Sequence, residues 1–231
     1  GRPGADNMAL DEALLLEAGR TGARFLRLYR WDPPCLSLGR NEPALERGGI
    51  ATVRRPTGGR AVWHEHEVTY AVAAPIAAFG RLRDAYRAIH ERLAAALRSL
   101  GANVTLAGDR PTARRLDGPT SCFATSVGGE ILAHGRKLVG SAQVRHGSAF
   151  LQHGSILLDG SQEMVAAVSR KPQAASAATT LSDALGRRVT WEEVAEAIVQ
   201  TWGDEVTSTA LYRPLPPSAA VFSDPAWTWR R

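Results

Sequence analysis

The chain of 231 residues contains only two cysteines and, among its 28 basic residues, only two lysines, Lys137 and Lys171. Two thiols are too few for the disulfide framework of a small secreted domain, and without a Cys-x-x-Cys pair they do not predict a zinc site. No apolar run approaches the ~20 residues of a membrane span. Residues 1–20 carry charges throughout, unlike a signal peptide. These absences predict a cytoplasmic protein that uses neither a membrane nor a metal.

The remaining composition, 44% hydrophobic and 22% charged, is typical of a globular domain. The net charge of +5 is carried almost entirely by arginine, which reflects either a codon bias or a basic surface for an acidic partner. The arginines are spread along the chain without a nucleic-acid-binding motif, so nucleic acid is not a predicted partner. Without an internal repeat or linker, the sequence predicts one domain over 1–231, with a tail at 207–231 packed on it.

Hydrophobic periodicity predicts a chain that contains both helices and strands. The predicted helices cover 6–18 (capped by Asp6), 81–100, a short stretch near 161–169, and 190–202, which opens with a Thr190–Glu193 capping box. The predicted strands cover 25–31, 35–39, 68–74 and a meander of 130–133, 136–145 and 148–158. Tight turns at His134-Gly135 and His146-Gly147 join the meander. The glycines and prolines of 107–120 predict a mobile loop.

The segment RRPTGGRAVWHE at 54–65 combines two arginines with adjacent glycines. Gly58-Gly59 lets the backbone approach a ligand closely, and Arg54 and Arg55 could pair with phosphate or carboxylate. The segment lacks the Gly-Lys-Ser/Thr ending of a P-loop. A turn with a purely structural role is the alternative.

Cys122 and Lys137 are the candidate catalytic residues. A single cysteine is either a nucleophile or a small buried hydrophobic side chain, and the first needs a nearby cation to stabilise its thiolate. Lys137, on the central meander strand, could supply that cation if the fold brings the two together; otherwise it is a surface lysine.

Small residues on two neighbouring meander strands, GSAQ at 140–143 and QHGS at 152–155, leave room for a ligand against the sheet. A bend or bulge in the strands is the alternative explanation. For His153 the sequence leaves three roles open: general base, ligand contact or hydrogen-bonded core residue.

Taken in order, these motifs resemble the lipoate–protein ligase and octanoyltransferase family over about 6–202. The matching segments are NMALDEALL, SLGRNEP, RRPTGGRAVWHEHEVTYAV, CF, GRKLVGSAQVR and LQHGSILL. Gly-Gly-Arg-Ala-Val, the later Cys-Phe and Gln-His-Gly-Ser are most similar to the cysteine-dependent octanoyl-[acyl carrier protein]:protein octanoyltransferases. The sequence departs from the ligase pattern at Glu42, at Arg60 and at His64-Glu65, and no sizeable C-terminal accessory domain follows.

The resemblance implies the α+β catalytic-domain fold of the biotin and lipoate ligases, a mixed or antiparallel sheet with flanking helices. It also implies a reaction in two acyl transfers. Cys122 would accept an octanoyl or lipoyl group from acyl carrier protein and pass it to a lysine of a lipoyl-domain or glycine cleavage H-type protein. Lys137 matches the invariant lysine of the family. The implied substrate-binding residues are Arg54, Arg55, Thr57, Gly58, Gly59, Arg60, Ala61, His64, Thr69, Tyr70, Gly140, Ser141, Ala142, Gln143, His153, Gly154 and Ser155.

Two other functions fit the same motifs. An ATP-dependent lipoate–protein ligase would use ATP and magnesium and hold lipoyl-adenylate with Lys137 and the Arg54–Arg55 loop, whereas the transferase needs no cofactor. A non-catalytic acyl- or carrier-binding homologue is the other, although an intact Lys137 and a complete motif series argue against it.

Overall fold

The computed structural model describes residues 1–43, 46, 48–108, 128–168, 178–203 and 215–230. The helices are α1 Gly4–Thr21, α2 Leu82–Ser99, α3 Leu181–Leu185, α4 Trp191–Trp202, α5 Ala219–Ser223 and α6 Pro225–Thr228, with 3-10 turns at Ile76–Ala78 and Glu163–Val168. The strands are β1 Phe25–Tyr29, β2 Cys35–Leu38, β3 Thr52–Arg54, β4 Val62–His64, β5 Glu67–Pro75, β6 Val104–Leu106, β7 Ile131–Ala133, β8 Arg136–Lys137, β9 Val139–His146 and β10 Ala149–Leu157.

A four-stranded antiparallel sheet, in the order β1-β5-β10-β9, lies between two layers of helices. Alternate residues of β5 face opposite layers: Tyr70 and Val72 pack with α2 and α4, whereas Ala71 and Ala73 pack with α1. Both faces are covered, so β10 is buried along its whole length and the period-2 polarity of a half-exposed strand is absent.

Helix α1 is longer than the predicted 6–18. It begins after Pro3, whose carbonyl accepts from the Asn7 N–H, and no side chain caps it, so the predicted capping role of Asp6 was wrong. It ends at Gly22, which adopts the left-handed conformation with φ of 75° that favours glycine at this position.

A second sheet, in the order β3-β2-β4, carries strands that the sequence did not predict. β2 pairs parallel with β3 and antiparallel with β4. β3 and β4 have three residues each, which is too short for an alternating pattern to show in a sequence. Together they hold the two ends of the 54–65 segment.

The predicted meander strand at 136–145 is divided at Leu138. Before this residue β8 pairs with β7, and after it β9 pairs with β10, so the chain passes from a third sheet, β6-β7-β8, into the central one. The predicted second turn was also shifted: it is Gly147-Ser148, with Gly147 first at φ 57°. A glycine in that position suits the positive φ that begins a type II′ hairpin turn.

The described part of the predicted tail, residues 215–230, packs on α1 and β3. Phe222 is buried in the cluster under α1, and the indole N–H of Trp227 donates to the Arg54 carbonyl. The capping box of Thr190 and Glu193 is confirmed. Most of the predicted loop at 107–120 lies outside the described residues. Within them, no helix combines the length and the apolar character needed to span a bilayer.

Candidate active site

A cavity with about 340 Å³ of empty space, its mouth included, opens between α1, the central sheet and the second sheet. One part of its wall is apolar, with Met8, Tyr29, Trp31 and Val62. The rest of the wall is lined by Ser37, Arg55, His64, Thr69, Gly140, Ser141, Ala142, His153, Gly154 and Ser155. An apolar wall facing a few fixed polar groups is the usual construction of a small-molecule site.

Arg55 uses its guanidinium to hold the 54–61 segment in place. One Nη donates to the Ser37 carbonyl at 3.1 Å, and the other donates to the carbonyls of Gly58 and Arg60 at 2.8 and 2.7 Å. The side chain is only 5% exposed and lies at the cavity wall. Arg55 therefore shapes the wall as well as lining it.

Arg54 does not line the cavity. Its guanidinium donates to the carbonyls of Gly39 and Glu42 at 2.6 and 2.8 Å and to that of Thr228, in the C-terminal tail, at 2.8 Å. A contact of Arg54 with a substrate anion was predicted. In the structure its guanidinium instead binds two segments of backbone, one at Gly39 and Glu42 and the other at Thr228.

The Gly58-Gly59 turn, predicted to approach a ligand, lies close to the protein's own backbone at Gly39. A Cβ on Gly39 would fall 1.9 Å from the Gly59 carbonyl oxygen, and Gly59 itself has φ of 90°. Both positions therefore require glycine. The turn still reaches the site, because a Cβ at Gly59 would lie 3.8 Å from that of Ala142. Gly58, Arg60 and buried Ala61 are not part of the cavity wall.

His153 is held at both ring nitrogens. Its Nδ1 donates to Asp11 Oδ2 at 2.9 Å, and its Nε2 accepts from the Thr57 hydroxyl at 2.6 Å. Burial lowers the pKa of His153 despite the favourable Asp11 carboxylate, which keeps the ring neutral in this arrangement. Both ring nitrogens are hydrogen-bonded within the protein, as expected of a hydrogen-bonded core residue, and the hydroxyl at Nε2 belongs to buried Thr57, which does not line the cavity.

Asp11 anchors this arrangement from α1. It is fully buried, and burial alone would raise its pKa, but the Arg27 guanidinium at 2.7 Å and the bonds from His153 and Tyr29 outweigh burial and lower the pKa. The NMALDEALL segment thus supplies a buried carboxylate to the site, a role that the sequence did not suggest.

A directed chain of hydrogen bonds leads from the cavity wall to α2. Gln152 Nε2 donates to the Tyr70 hydroxyl at 2.9 Å, and Tyr70 is 2.7 Å from Ser141 Oγ. Ser141 in turn lies 2.8 Å from His90 Nε2, while His90 Nδ1 is 2.8 Å from the Gly129 carbonyl. Burial lowers the pKa of His90 to about 4, so the ring is neutral and accepts from Ser141.

Lys137 is buried, not on the surface, and it is not part of the cavity wall. Its Nζ donates to Glu130 Oε1 at 2.6 Å, with both side chains at most 3% exposed. Its charge contributes to the low pKa of His90. Gly140–Ala142 and His153–Ser155 line the cavity, as the small residues of the two strands predicted, whereas the catalytic role of Lys137 stays a prediction.

Of the two cysteines, Cys122 lies outside the described residues, and so does its predicted contact with Lys137. Cys35 is 2% exposed, and burial, with the Glu67 charge, raises the pKa of its thiol to about 12. A thiol with that pKa is a poor nucleophile at neutral pH.

The structure brings together most of the predicted binding residues and adds others. Tyr70 and Gln143 stand behind the wall, where Gln143 Nε2 donates to Gln152 at 2.8 Å, and Thr57 acts through His153. Sequence reasoning missed Met8, Tyr29, Trp31, Ser37 and Val62 in the wall, and the buried Asp11, Glu67, His90 and Glu130. Asp11 and His90 form hydrogen bonds with residues that are 16 or more positions away, which no local spacing reveals. Glu67 and Glu130 lie three and seven residues from His64 and Lys137, at spacings that do not by themselves indicate a contact.

The fold and cavity match one class of protein. A family model described as the lipoyl protein ligase A/B catalytic domain matches residues 3–203, and the chain belongs to that family. It is an acyltransferase enzyme.

Similar proteins of this family carry a specific name. Octanoyltransferase LipM of Symbiobacterium thermophilum is 38% identical over 219 residues, which cover 85% of this chain and 80% of the relative. Octanoyltransferase LipM of Moorella thermoacetica is 41% identical over 220 residues, with the same coverage of both chains.

Solved structures share the fold at lower identity. A lipoate–protein ligase A bound with ATP superposes with a TM-score of 0.68 at 22% identity, covering 87% of this chain and 80% of its own. A bi-partite lipoate protein ligase of Thermoplasma acidophilum, studied with its E2 lipoyl domain, gives 0.66 at 18%, covering 97% and 91%. The predicted α+β catalytic-domain fold is confirmed.

Proposed function

We propose that this enzyme moves an octanoyl group from acyl carrier protein to a lysine of a lipoyl-domain or glycine cleavage H-type protein, through a thioester on Cys122. The proposal rests on the two LipM relatives, near 40% identity, and on a cysteine where the resemblance places the acyl acceptor. The cytoplasm is the proposed location. Both partner proteins are proposed to be acidic, and the net charge of +5 would steer them to the enzyme.

The hydrogen bonds of the two arginines favour transfer over ATP-dependent ligation. Arg54 and Arg55 both donate to backbone carbonyls within the protein, so neither fork is arranged to grip a phosphate. A thioester donor arrives already activated and needs a nucleophile instead of an anion-binding loop. ATP and magnesium are therefore not part of the proposed reaction.

The proposed chemistry begins when the Cys122 thiolate attacks the thioester carbonyl and the carrier thiol leaves. The acceptor lysine then attacks the Cys122 thioester, forming an amide and releasing the thiolate. Lys137 is proposed to supply the positive charge that favours the thiolate. Glu130, the ion-pair partner of Lys137, is eight residues from Cys122 in the sequence.

The test is incubation with octanoyl-acyl carrier protein in the absence of ATP, followed by intact-mass measurement. The enzyme should gain one octanoyl group that neutral hydroxylamine removes. Cys122→Ala should not form this adduct, whereas Cys35→Ala should, because Cys35 is buried with a raised pKa. If Cys122→Ala still modifies the acceptor protein, and only with ATP and free lipoate, the ligase function replaces this one.

The role of Lys137 is tested best by a variant that removes both charges of the buried pair. Lys137→Ala alone would take the cation from the buried Glu130 carboxylate, and breaking a buried ion pair costs about 3–5 kcal/mol, so this variant is expected to lose stability as well as activity. The informative variant is Lys137→Met combined with Glu130→Gln, which removes both charges. It should stay folded and lose adduct formation; wild-type rates would assign Lys137 a structural role. Lys137→Arg should also fail, since a guanidinium differs in shape and does not titrate.

A further inference from the structure

Histidine–hydroxyl pairs recur around the cavity, and they differ in what stands behind each ring. Among the residues that the structure describes, the pairs at 2.8 Å or less at the site are His153 with Thr57, His90 with Ser141, and His64 with Ser37. A hydroxyl that donates to a neutral imidazole is activated only if a substrate can reach it and if the ring can hold the proton it receives. The pairs can be compared on those two requirements.

The first two pairs each fail one requirement. Thr57 is fully buried and is not part of the cavity wall, so a substrate in the cavity does not meet its hydroxyl. Ser141 lines the cavity, but His90 is backed only by the Gly129 carbonyl and has a pKa lowered to about 4. A neutral carbonyl stabilises an imidazolium less than a carboxylate does.

The His64 pair meets both requirements. Ser37 and His64 both line the cavity, and Ser37 Oγ is 2.7 Å from His64 Nε2. His64 Nδ1 is 2.7 Å from Glu67 Oε1, which also accepts from Ser155 Oγ at 2.8 Å. Because Nδ1–H donates to the Glu67 carboxylate, Nε2 is the nitrogen that accepts from the Ser37 hydroxyl.

Two neighbours fix this arrangement. Trp31 stacks on the His64 ring, with centroids 3.9 Å apart and planes 9° from parallel, which holds the imidazole in register. Arg55 Nη1 donates to Ser37 Oγ at 3.1 Å. A cation beside the hydroxyl favours its alkoxide character.

We propose that Ser37, His64 and Glu67 form a second acyl site in this cavity, with thioester and ester hydrolase activity towards short linear acyl groups. Ser37 Oγ attacks the acyl carbonyl and its proton passes to His64 Nε2. The carbon–sulfur bond breaks, and the leaving thiolate takes that proton. The products are a Ser37 acyl ester and a free thiol.

Water completes the reaction. It attacks the ester while His64 Nε2 takes its proton, the bond from the acyl carbon to Ser37 Oγ breaks, and Ser37 regains a proton from His64. The net change is thioester plus water to carboxylic acid plus thiol. Glu67 is a positioning residue that fixes the ring and stabilises its cationic form.

The first test is labelling with an octyl fluorophosphonate, followed by peptide mapping. The chain length of the probe rests on the proposed function, but the reagent reports on an activated serine and not on Cys122. The label should appear on Ser37, should be absent from Ser37→Ala, and should be slowed in Glu67→Gln. Label on Ser141 or Ser155 instead, or none on the folded wild-type protein, overturns the proposal.

The second test is turnover of p-nitrophenyl octanoate by Cys122→Ala protein, which removes the competing thiol. Adding Ser37→Ala should abolish hydrolysis, and adding His64→Ala should lower it by ~10²–10⁴-fold, with partial recovery on adding imidazole. Ser148→Ala, in the exposed hairpin turn, is the matched serine control and should hydrolyse normally. Recovery by imidazole is a result that a purely structural role for His64 would not give.

The two proposals fail separately. Loss of the Cys122 adduct with Ser37 still labelled would remove the octanoyl transfer proposal and leave the hydrolase site. A normal Cys122 adduct with an unlabelled Ser37 would do the reverse and return Ser37 to a hydrogen-bonded wall residue.

Discussion

The two faces of the central sheet are built by different means. The face towards α2 and α4 packs an almost wholly apolar cluster that includes Leu93, Phe150 and Ile198. The face towards α1 buries charge, with Asp11 and Arg27 both at most 7% exposed. Apolar packing tolerates small shifts, whereas a buried ion pair demands one geometry. The comparison teaches that the α2 face mainly stabilises the fold, while the α1 face fixes the position of the cavity wall.

The largest effect is expected from breaking the charged face. Arg27→Met leaves the fully buried Asp11 carboxylate without its cation, and such a loss costs about 3–5 kcal/mol. The free energy of unfolding in urea would measure it. The control is Arg30→Met, whose partner Glu192 is exposed, with an expected loss of about 1 kcal/mol or less. Equal losses would show that burial of the Arg27 pair is unimportant.

A somewhat smaller effect is expected from the apolar face. Leu93→Ala, at a fully buried position in α2, should cost about 3 kcal/mol through lost transfer energy and the cavity left behind. The same substitution at half-exposed Leu16 should cost less than about 0.5 kcal/mol. The folded Leu93→Ala fraction should transfer acyl groups at the wild-type rate. A changed rate would mean that this face also positions the site.

His90, in the hydrogen-bonded chain with Tyr70 and Ser141, gives the α2 face a pH dependence. Its pKa falls from 6.5 to about 4 on folding, so the folded state favours the neutral ring. The contribution of the neutral His90 ring to the free energy of unfolding is fully present above pH 6.5 and is lost as the pH falls towards 4. It amounts to at most about 3 kcal/mol, at 1.36 kcal/mol per pH unit. Urea unfolding between pH 7 and 4 should show a shallower decline in His90→Gln than in the wild type. If the free energy of unfolding declined equally with pH in both proteins, His90 would not be the source of the pH dependence.

The smallest effect on stability is expected at Thr57. Thr57→Val removes the hydroxyl that donates to His153 and leaves a buried ring nitrogen without that donor, at a cost of about 2 kcal/mol. Thr57→Ser keeps the donor and should stay near wild type. Acyl transfer should fall more in the valine variant than its stability loss explains, because the bond holds the 54–61 segment. Proportional losses would make Thr57 purely structural.

The sequence predicted best what local patterns encode. Leucine spacing in α2 and the buried strands β5 and β10 gave elements within about two residues of those found. The short strands β3 and β4 gave no such pattern, and neither did the break at Leu138, where the chain changes sheets.

The site was predictable only through its motifs. Gly140–Ala142 and His153–Ser155 lie at the cavity as expected. The bond between His153 and Asp11, however, joins residues 142 positions apart, and the pairing of Lys137 with Glu130 depends on a hairpin that buries both. Burial of a charge is decided by the partner it meets in space, which no single-sequence period records.

The clamp of Arg54 on the carbonyl of Thr228 makes the C-terminal tail an intramolecular ligand. Its binding site is formed by β3, α1 and the backbone around Gly39, and the connecting chain keeps the tail at a high effective concentration there. The same guanidinium that binds the tail belongs to the segment that begins at Arg54 and continues to Arg55 in the cavity wall. In thermodynamic terms, the free energy of tail docking is therefore part of the free energy that holds this segment in place.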